Sequence, residues 1–293
     1  MERKQFIKTA AAGVLGMTTL SAFRQFTGNL DETGQLMPVL FIGHGSPMNG
    51  IEDNEFSRRW KQMATEIPVP SAVLVVSAHW FTRGTRITAM DFPKTIHDFG
   101  GFPPELYQVQ YPAPGQPALA TETVELLKSA HVELDHDWGL DHGTWTIIRH
   151  MYPKADIPVL QLSIDYTKPP QYHYDLAREL YSLRKKGVLI VGSGNMVHNL
   201  GMLAWDKLQA PEYGFDWALH MNQTFKDLIT HGDHQPLIQY ETLGREARLA
   251  IPTPEHYLPL LYTLGVKGND DAVSFFNDKA VAGSLTMTSV KLG

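Results

Sequence analysis

Cysteine is absent from the 293-residue chain, which excludes disulfides, thiolate metal ligands and cysteine nucleophiles. Any metal must therefore be held by nitrogen and oxygen. An excess of positive charge is missing too. The formal net charge is −6, and the cationic pairs Arg58-Arg59 and Lys185-Lys186 are too short to track a phosphate backbone. They read as solvated helix faces, and nucleic acid is excluded as a partner. The apolar run Thr9 to Phe23, at 15 residues, falls short of a comfortable membrane span. Two common active-site signatures are also lacking. Gly192-Ser193-Gly194 does not extend to a dinucleotide fingerprint, because Val197 stands where a third glycine belongs, and there is no P-loop or Gly-x-Ser-x-Gly elbow. Without a long polar linker, repeat or low-complexity block, the chain reads as one domain.

Histidine is abundant instead: 13 residues, roughly twice its usual share. The N-terminus also stands apart, with basic Met1 to Lys8 preceding the uncharged run. The order Arg3-Lys4-Gln5-Phe6-Ile7-Lys8 resembles a twin-arginine export signal with lysine as its second basic residue. Two readings stand: export to the periplasm, or an amphipathic extension on a cytoplasmic enzyme. Both leave residues 1–34 outside a catalytic domain spanning 35–293.

Four apolar runs rich in branched residues have strand length: Pro38 to Ile42, Ala72 to Val76, Pro158 to Leu162 and Val188 to Val191. They read as central strands buried on both faces. Between them, Asn54 to Ile67, Ala118 to Ala130, Thr144 to Tyr152 and Gln171 to Lys185 read as helices. This alternation predicts an α/β fold with a largely parallel central sheet flanked by helices. Tyr213 to His231 has helical spacing, and Thr253-Pro254-Glu255 reads as the start of a further helix. The runs Ala272 to Asn277 and Ser284 to Lys291 predict a C-terminal antiparallel hairpin at the sheet edge. The proline-rich stretch Phe99 to Pro117 is either an ordered loop over a site or only a long connection.

Ligands of open α/β sheets gather beyond the carboxyl ends of the strands. Three histidines follow strand runs there: His44 in Gly43-His44-Gly45-Ser46-Pro47, His79 in Ser77-Ala78-His79-Trp80, and His198 after Gly192-Ser193-Gly194-Asn195-Met196-Val197. Neutral imidazole binds borderline divalent metals, and its second nitrogen can be fixed by an outer acceptor. By local sequence alone, His256 reads as a surface histidine on the first turn of the helix opened by Thr253. Asp141 and His142 form a further candidate pair, able to orient a substrate or merely to cap a helix. His231 and His234 look solvated.

These segments, together with Gly139-Leu140-Asp141-His142-Gly143-Thr144-Trp145 and Pro254-Glu255-His256-Tyr257, resemble in order the motifs of the class III (LigB-like) extradiol ring-cleavage dioxygenases, and among them the DOPA 4,5-dioxygenase extradiol type. The resemblance covers about residues 37–293. It implies a single-domain α/β fold and one mononuclear divalent metal, Fe²⁺ or Zn²⁺, with His44, His79 and His256 as ligands. It places His198 beside the metal, as a fourth ligand or as the acid/base, and His142 against substrate or oxygen. Many extradiol enzymes use two histidines and a carboxylate. Here the third position falls on His256, and neighbouring helical residues such as Glu255 would point about 100° away. The implied partners are a DOPA-like catechol and O₂. A zinc-dependent hydrolase on the same histidines and a non-catalytic binding protein of the same fold are the competing readings.

Overall fold

The computed structural model describes residues 30–208 and 210–293. The export signal read in the sequence lies outside them. Leu30 packs against the core, and the Thr33 N–H donates to the Lys185 carbonyl at 2.9 Å.

Among the described residues ten strands form: β1 Val39–Gly43, β2 Ala72–Thr82, β3 Thr85–Thr88, β4 Val132–Asp135, β5 Val159–Asp165, β6 Val188–Gly194, β7 Val273–Phe276, β8 Ala280–Val281, β9 Leu285–Thr286 and β10 Ser289–Leu292. Eight of them make one sheet in the order β4-β3-β5-β2-β6-β1-β10-β7. The four runs read as central strands are its middle, all mutually parallel. Strand β10 runs antiparallel to β1 and β7 antiparallel to β10, so the expected C-terminal hairpin closes one edge. The residues between its arms form a small two-stranded sheet, β8 with β9.

Branched residues line both faces of the central strands, and alternation sends them to two cores. Val39, Phe41, Leu74 and Val76 pack with Leu258, Leu261 and Phe225, whereas Leu40, Ile42, Val73 and Val75 pack with Trp60, Trp145 and Ile148. The result is three layers, with helices on both sheet faces. Helix Glu55–Glu66 starts from a capping box in which Asn54 and Ser57 exchange hydrogen bonds. Helix His142–Met151 starts from Asp141, whose carboxylate accepts from the Thr144 N–H at 3.1 Å.

Some expectations change. Residues 171–185 form two helices, Pro170–Arg178 and Tyr181–Lys185, because Glu179 and Leu180 donate three residues back and tighten the chain there. Thr253 does not open a helix. Its hydroxyl donates to the Glu255 carboxylate at 2.7 Å, Pro254 starts an isolated turn, and the helix begins later, at Leu258–Gly265, with Pro259 in its first turn. His256 therefore lies in the turn closed by the Leu258 N–H on the Pro254 carbonyl, directly before the helix. His234 is half-buried and bonded to the Tyr174 hydroxyl at 2.9 Å, not solvated.

Away from the strand ends that carry the histidines, Arg184 is fully buried. It donates to the carbonyls of Met37 and Val266 and, through two nitrogens, to the Asp271 carboxylate at 2.5 and 3.0 Å. Burial raises the Asp271 carboxyl, but the Arg184 hydrogen bonds, the Gly268 N–H and the charges of Arg184 and Lys267 together hold it below its usual range. Asp271→Ala strands a buried guanidinium, with an expected loss of about 3–5 kcal/mol in urea unfolding at neutral pH. A depressed carboxyl stabilises above its unfolded pKa of about 4 and loses that contribution as pH falls through the folded value. The urea midpoint advantage of the natural chain over Asp271→Asn should therefore shrink below about pH 4.

Candidate metal centre

In the parallel register, Gly43 of β1 is level with Gly194 of β6, and Ser77 of β2 is level with Ser193 of β6. The ends of β1 and β6 thus lie on one line with Ser77 of β2, which runs on to Thr82. His44 follows β1 directly, with its N–H on the Gly194 carbonyl at 3.1 Å. His79 lies in the last third of β2, within the irregular stretch between Val76 and Phe81 where the register with β5 shifts. His256 reaches the same place from the turn before helix Leu258–Gly265, with its carbonyl accepting from the Asn195 N–H at 2.8 Å. That approach needs Gly194 without a side chain, since a Cβ there would sit 2.1 Å from the His256 carbonyl oxygen.

Ring nitrogens of His44, His79 and His256 lie within 4.8 Å of one another, and all three residues are wholly or largely buried. Each ring has an acceptor at its Nδ1. For His44 it is Ser193 Oγ at 3.0 Å. The Ser193 hydroxyl hydrogen is already donated to the Gly143 carbonyl at 2.6 Å, so His44 must be the donor and carries its proton on Nδ1. For His79 the facing group is the Asp98 carboxylate, at an ion-pair distance of 3.3 Å, and for His256 the acceptor is the Glu255 carboxylate at 3.4 Å. With Nδ1 protonated on all three, every Nε2 keeps its lone pair.

Burial, followed by the neighbouring histidines, pushes His44 and His79 well below the usual imidazole range, and burial lowers His256 despite Glu255. The cluster is therefore neutral near pH 7. Yet Nε2 of His44 and Nε2 of His79 are only 3.0 Å apart. Two facing lone pairs at that distance repel unless a cation lies among them. Three buried neutral imidazoles with acceptors behind them are the donor set of a divalent transition-metal centre.

His142 stands on the first turn of its helix, its ring 3.8 Å from that of His79. The Asp98 carboxylate accepts from both its N–H and its Nδ1, each at 2.9 Å. His198 stacks on His256, with ring centres 3.6 Å apart and planes inclined by 7°. Imidazole lone pairs lie in the ring plane, and nearly parallel planes meet only far from the site. His198 and His256 therefore do not aim at one point. Burial, followed by His256, pushes His198 down to about 3.

Two further groupings, His79/Asp98/His142 and His198/Glu255/His256, are equally tight. In both, the carboxylate faces an Nδ1 and takes its proton, as an orienting acceptor rather than a third donor to the centre. Burial raises both carboxyls, but hydrogen bonds from His142 leave Asp98 below its usual range, and those from His256 and Thr253 leave Glu255 at about 2.

The sequence pointed to His44, His79 and His198 at strand ends, offered His142 as a further candidate and reached His256 through the family motif, and the structure brings all five rings together. It did not point to Ser193 or Asp98. Ser193 lies in the glycine motif that leads to His198, and nothing in that motif marks its hydroxyl as a partner of His44. Asp98 immediately precedes the proline-rich stretch, whose first residues lie beside the site and whose later ones, Val109, Tyr111 and Ala113, pack into the core. Phe99 meets the His142 ring edge-on at 5.5 Å, and Phe102 and Tyr107 pack on Phe99.

Ser193→Ala removes the acceptor that fixes the His44 tautomer. The expected result in competition with a chromophoric chelator is metal affinity lowered about 10–100-fold, with the fold retained.

Comparison with known proteins agrees with this geometry. Residues 38–292 match the family described as the catalytic LigB subunit of aromatic ring-opening dioxygenase. A 4,5-DOPA dioxygenase extradiol of Escherichia coli (strain K12) is 49% identical over 88% of this chain and 95% of its own length. One from Beta vulgaris is 36% identical over 86% of this chain and 95% of its own. The crystal structure of an uncharacterized protein from Escherichia coli K12 superposes with a TM-score of 0.75 at 43% identity, covering 88% of this chain and all of that one.

Proposed function

The chain belongs to the LigB family of aromatic ring-opening dioxygenases, and on that premise we propose that it opens a catechol of DOPA-like shape with O₂, using Fe²⁺ held by His44, His79 and His256. As an extradiol ring-cleavage dioxygenase it breaks the carbon–carbon bond beside the diol and places both oxygen atoms in the ring-opened product. The four electrons that reduce O₂ come from the substrate, so no external reductant enters. The observation that carries the reading is the convergence of three Nε2 lone pairs, each secured by an acceptor at Nδ1.

When bound, the metal supplies Lewis acidity toward the diol and, as Fe²⁺, a route for electron density from the diol to O₂. The side chains supply the rest. His198 lies beside the three-histidine cluster and out of its aim, so its ring is free to take a diol proton and return it to oxygen as the ring opens. His142, with Nδ1 engaged by Asp98, presents Nε2 to substrate as a hydrogen-bond partner. Phe99, on the loop over His142, offers an apolar wall that limits water at the reacting ring.

The test is anaerobic reconstitution with Fe²⁺, then a panel of catechols including DOPA, with O₂ uptake and absorbance of the ring-opened product recorded. One O₂ should be consumed per ring opened. His198→Gln should keep its metal and lose roughly 10²–10⁴-fold in kcat. Loss of the metal in that variant would make His198 a ligand. A neutral three-histidine set also suits zinc. Silence toward every catechol, with ester or amide turnover in the Zn²⁺ form, would establish the hydrolase instead.

Among the described residues no helix is long and apolar enough to cross a membrane. Met1 to Phe23, ahead of the packed Leu30 and the bonded Thr33, is proposed as a signal-like segment for export to the periplasm, supported by its basic and apolar pattern. N-terminal sequencing of protein from its native source should find that segment removed, and an intact Met1 would count against export.

A further inference from the structure

Asp98 lies 44 residues before His142 and 19 after His79, yet its carboxylate reaches both. Oδ1 accepts the His142 N–H at 2.9 Å. Oδ2 faces two imidazoles, accepting from His142 Nδ1 at 2.9 Å and lying 3.3 Å from His79 Nδ1. The two rings are held 3.8 Å apart. One oxygen therefore sits behind both a ring of the metal cluster and the ring that faces substrate.

We propose that Asp98 is the positioning residue that sets the tautomers of His79 and His142 together. With Nδ1 of each protonated toward Oδ2, Nε2 of His79 is free for the metal and Nε2 of His142 is free to accept from a substrate hydroxyl. The inference rests on the metal-centre reading and adds a residue that touches neither metal nor substrate. It also explains why a carboxylate is needed. Its two oxygens are both acceptors, and the site presents donors to both.

Asp98→Asn separates this role from packing, because the amide has nearly the same shape but only one acceptor. With its oxygen on the His142 N–H, its NH₂ faces the two imidazoles and drives their protons to Nε2. Turned over, it sets NH₂ against N–H. Neither arrangement reproduces the natural pattern.

The experiment uses the full chain with ¹⁵N-labelled histidine and zinc as a diamagnetic probe, reading tautomers by long-range ¹H–¹⁵N correlation and affinity by chelator competition. The natural chain should show His142 protonated at Nδ1. In Asp98→Asn, His142 should move to the Nε2–H form and zinc affinity should fall about 10–100-fold. His142 unchanged in Asp98→Asn, or affinity within twofold of the natural chain, overturns the proposal. If Asp98→Asn does not fold, Asp98→Ala takes its place. That variant should lose zinc affinity several-fold, and affinity within twofold overturns the proposal equally. Absence of zinc binding in the natural chain would defeat the metal-centre reading, while the His142 tautomer in metal-free protein would still test the hold of Asp98. Zinc binding and tautomers as expected, without turnover of any catechol by the iron form, would defeat the dioxygenase assignment and leave Asp98 in its role.

Discussion

The site depends on where three protons sit. An imidazole offers one lone pair when neutral, and only an acceptor behind Nδ1 guarantees that the lone pair points forward. Ser193, Asp98 and Glu255 provide those acceptors, and each is held by something else. Ser193 is tied to Gly143, Asp98 to the His142 backbone, and Glu255 to Thr253. The sheet register makes this possible by bringing the ends of β1 and β6 level with Ser77 of β2. Core packing, strand alignment and metal chemistry are thus successive layers of one arrangement.

The parts legible in the sequence were those fixed by local pattern. Branched apolar runs identified the four parallel strands because burial on both faces leaves no polar alternation to confuse the reading. His44 was legible because it immediately follows such a run. Strands β4, at the edge, and β3 beside it were not, since Thr85-Arg86-Ile87-Thr88 and Val132-Glu133-Leu134-Asp135 are four-residue polar alternations that gain strand character only from their neighbours. His256 was visible only through the family motif. Its flanking Thr-Pro-Glu carries a helix-start pattern that the chain uses for a turn instead.

Asp98 marks the limit of local reading. Nothing in Ile96-His97-Asp98-Phe99 distinguishes it from a solvated loop carboxylate, and its meaning arises from rings 19 and 44 positions away. His198 shows a different limit. Its strand-end placement was legible, but whether it aims with His256 or lies flat upon it is a matter of ring orientation, which no residue spacing encodes.

Among the described residues, His256 is set by close backbone approach: Gly194 admits its carbonyl and the Asn195 N–H grips it. A metal joining His256 to His44 ties opposite ends of the domain, closing a loop of about two hundred residues in a chain that has no cysteine to do so. The cluster is then a removable staple. Chelation should loosen the whole molecule as well as silence it, so that metal supply would govern how long the protein survives alongside how fast it works.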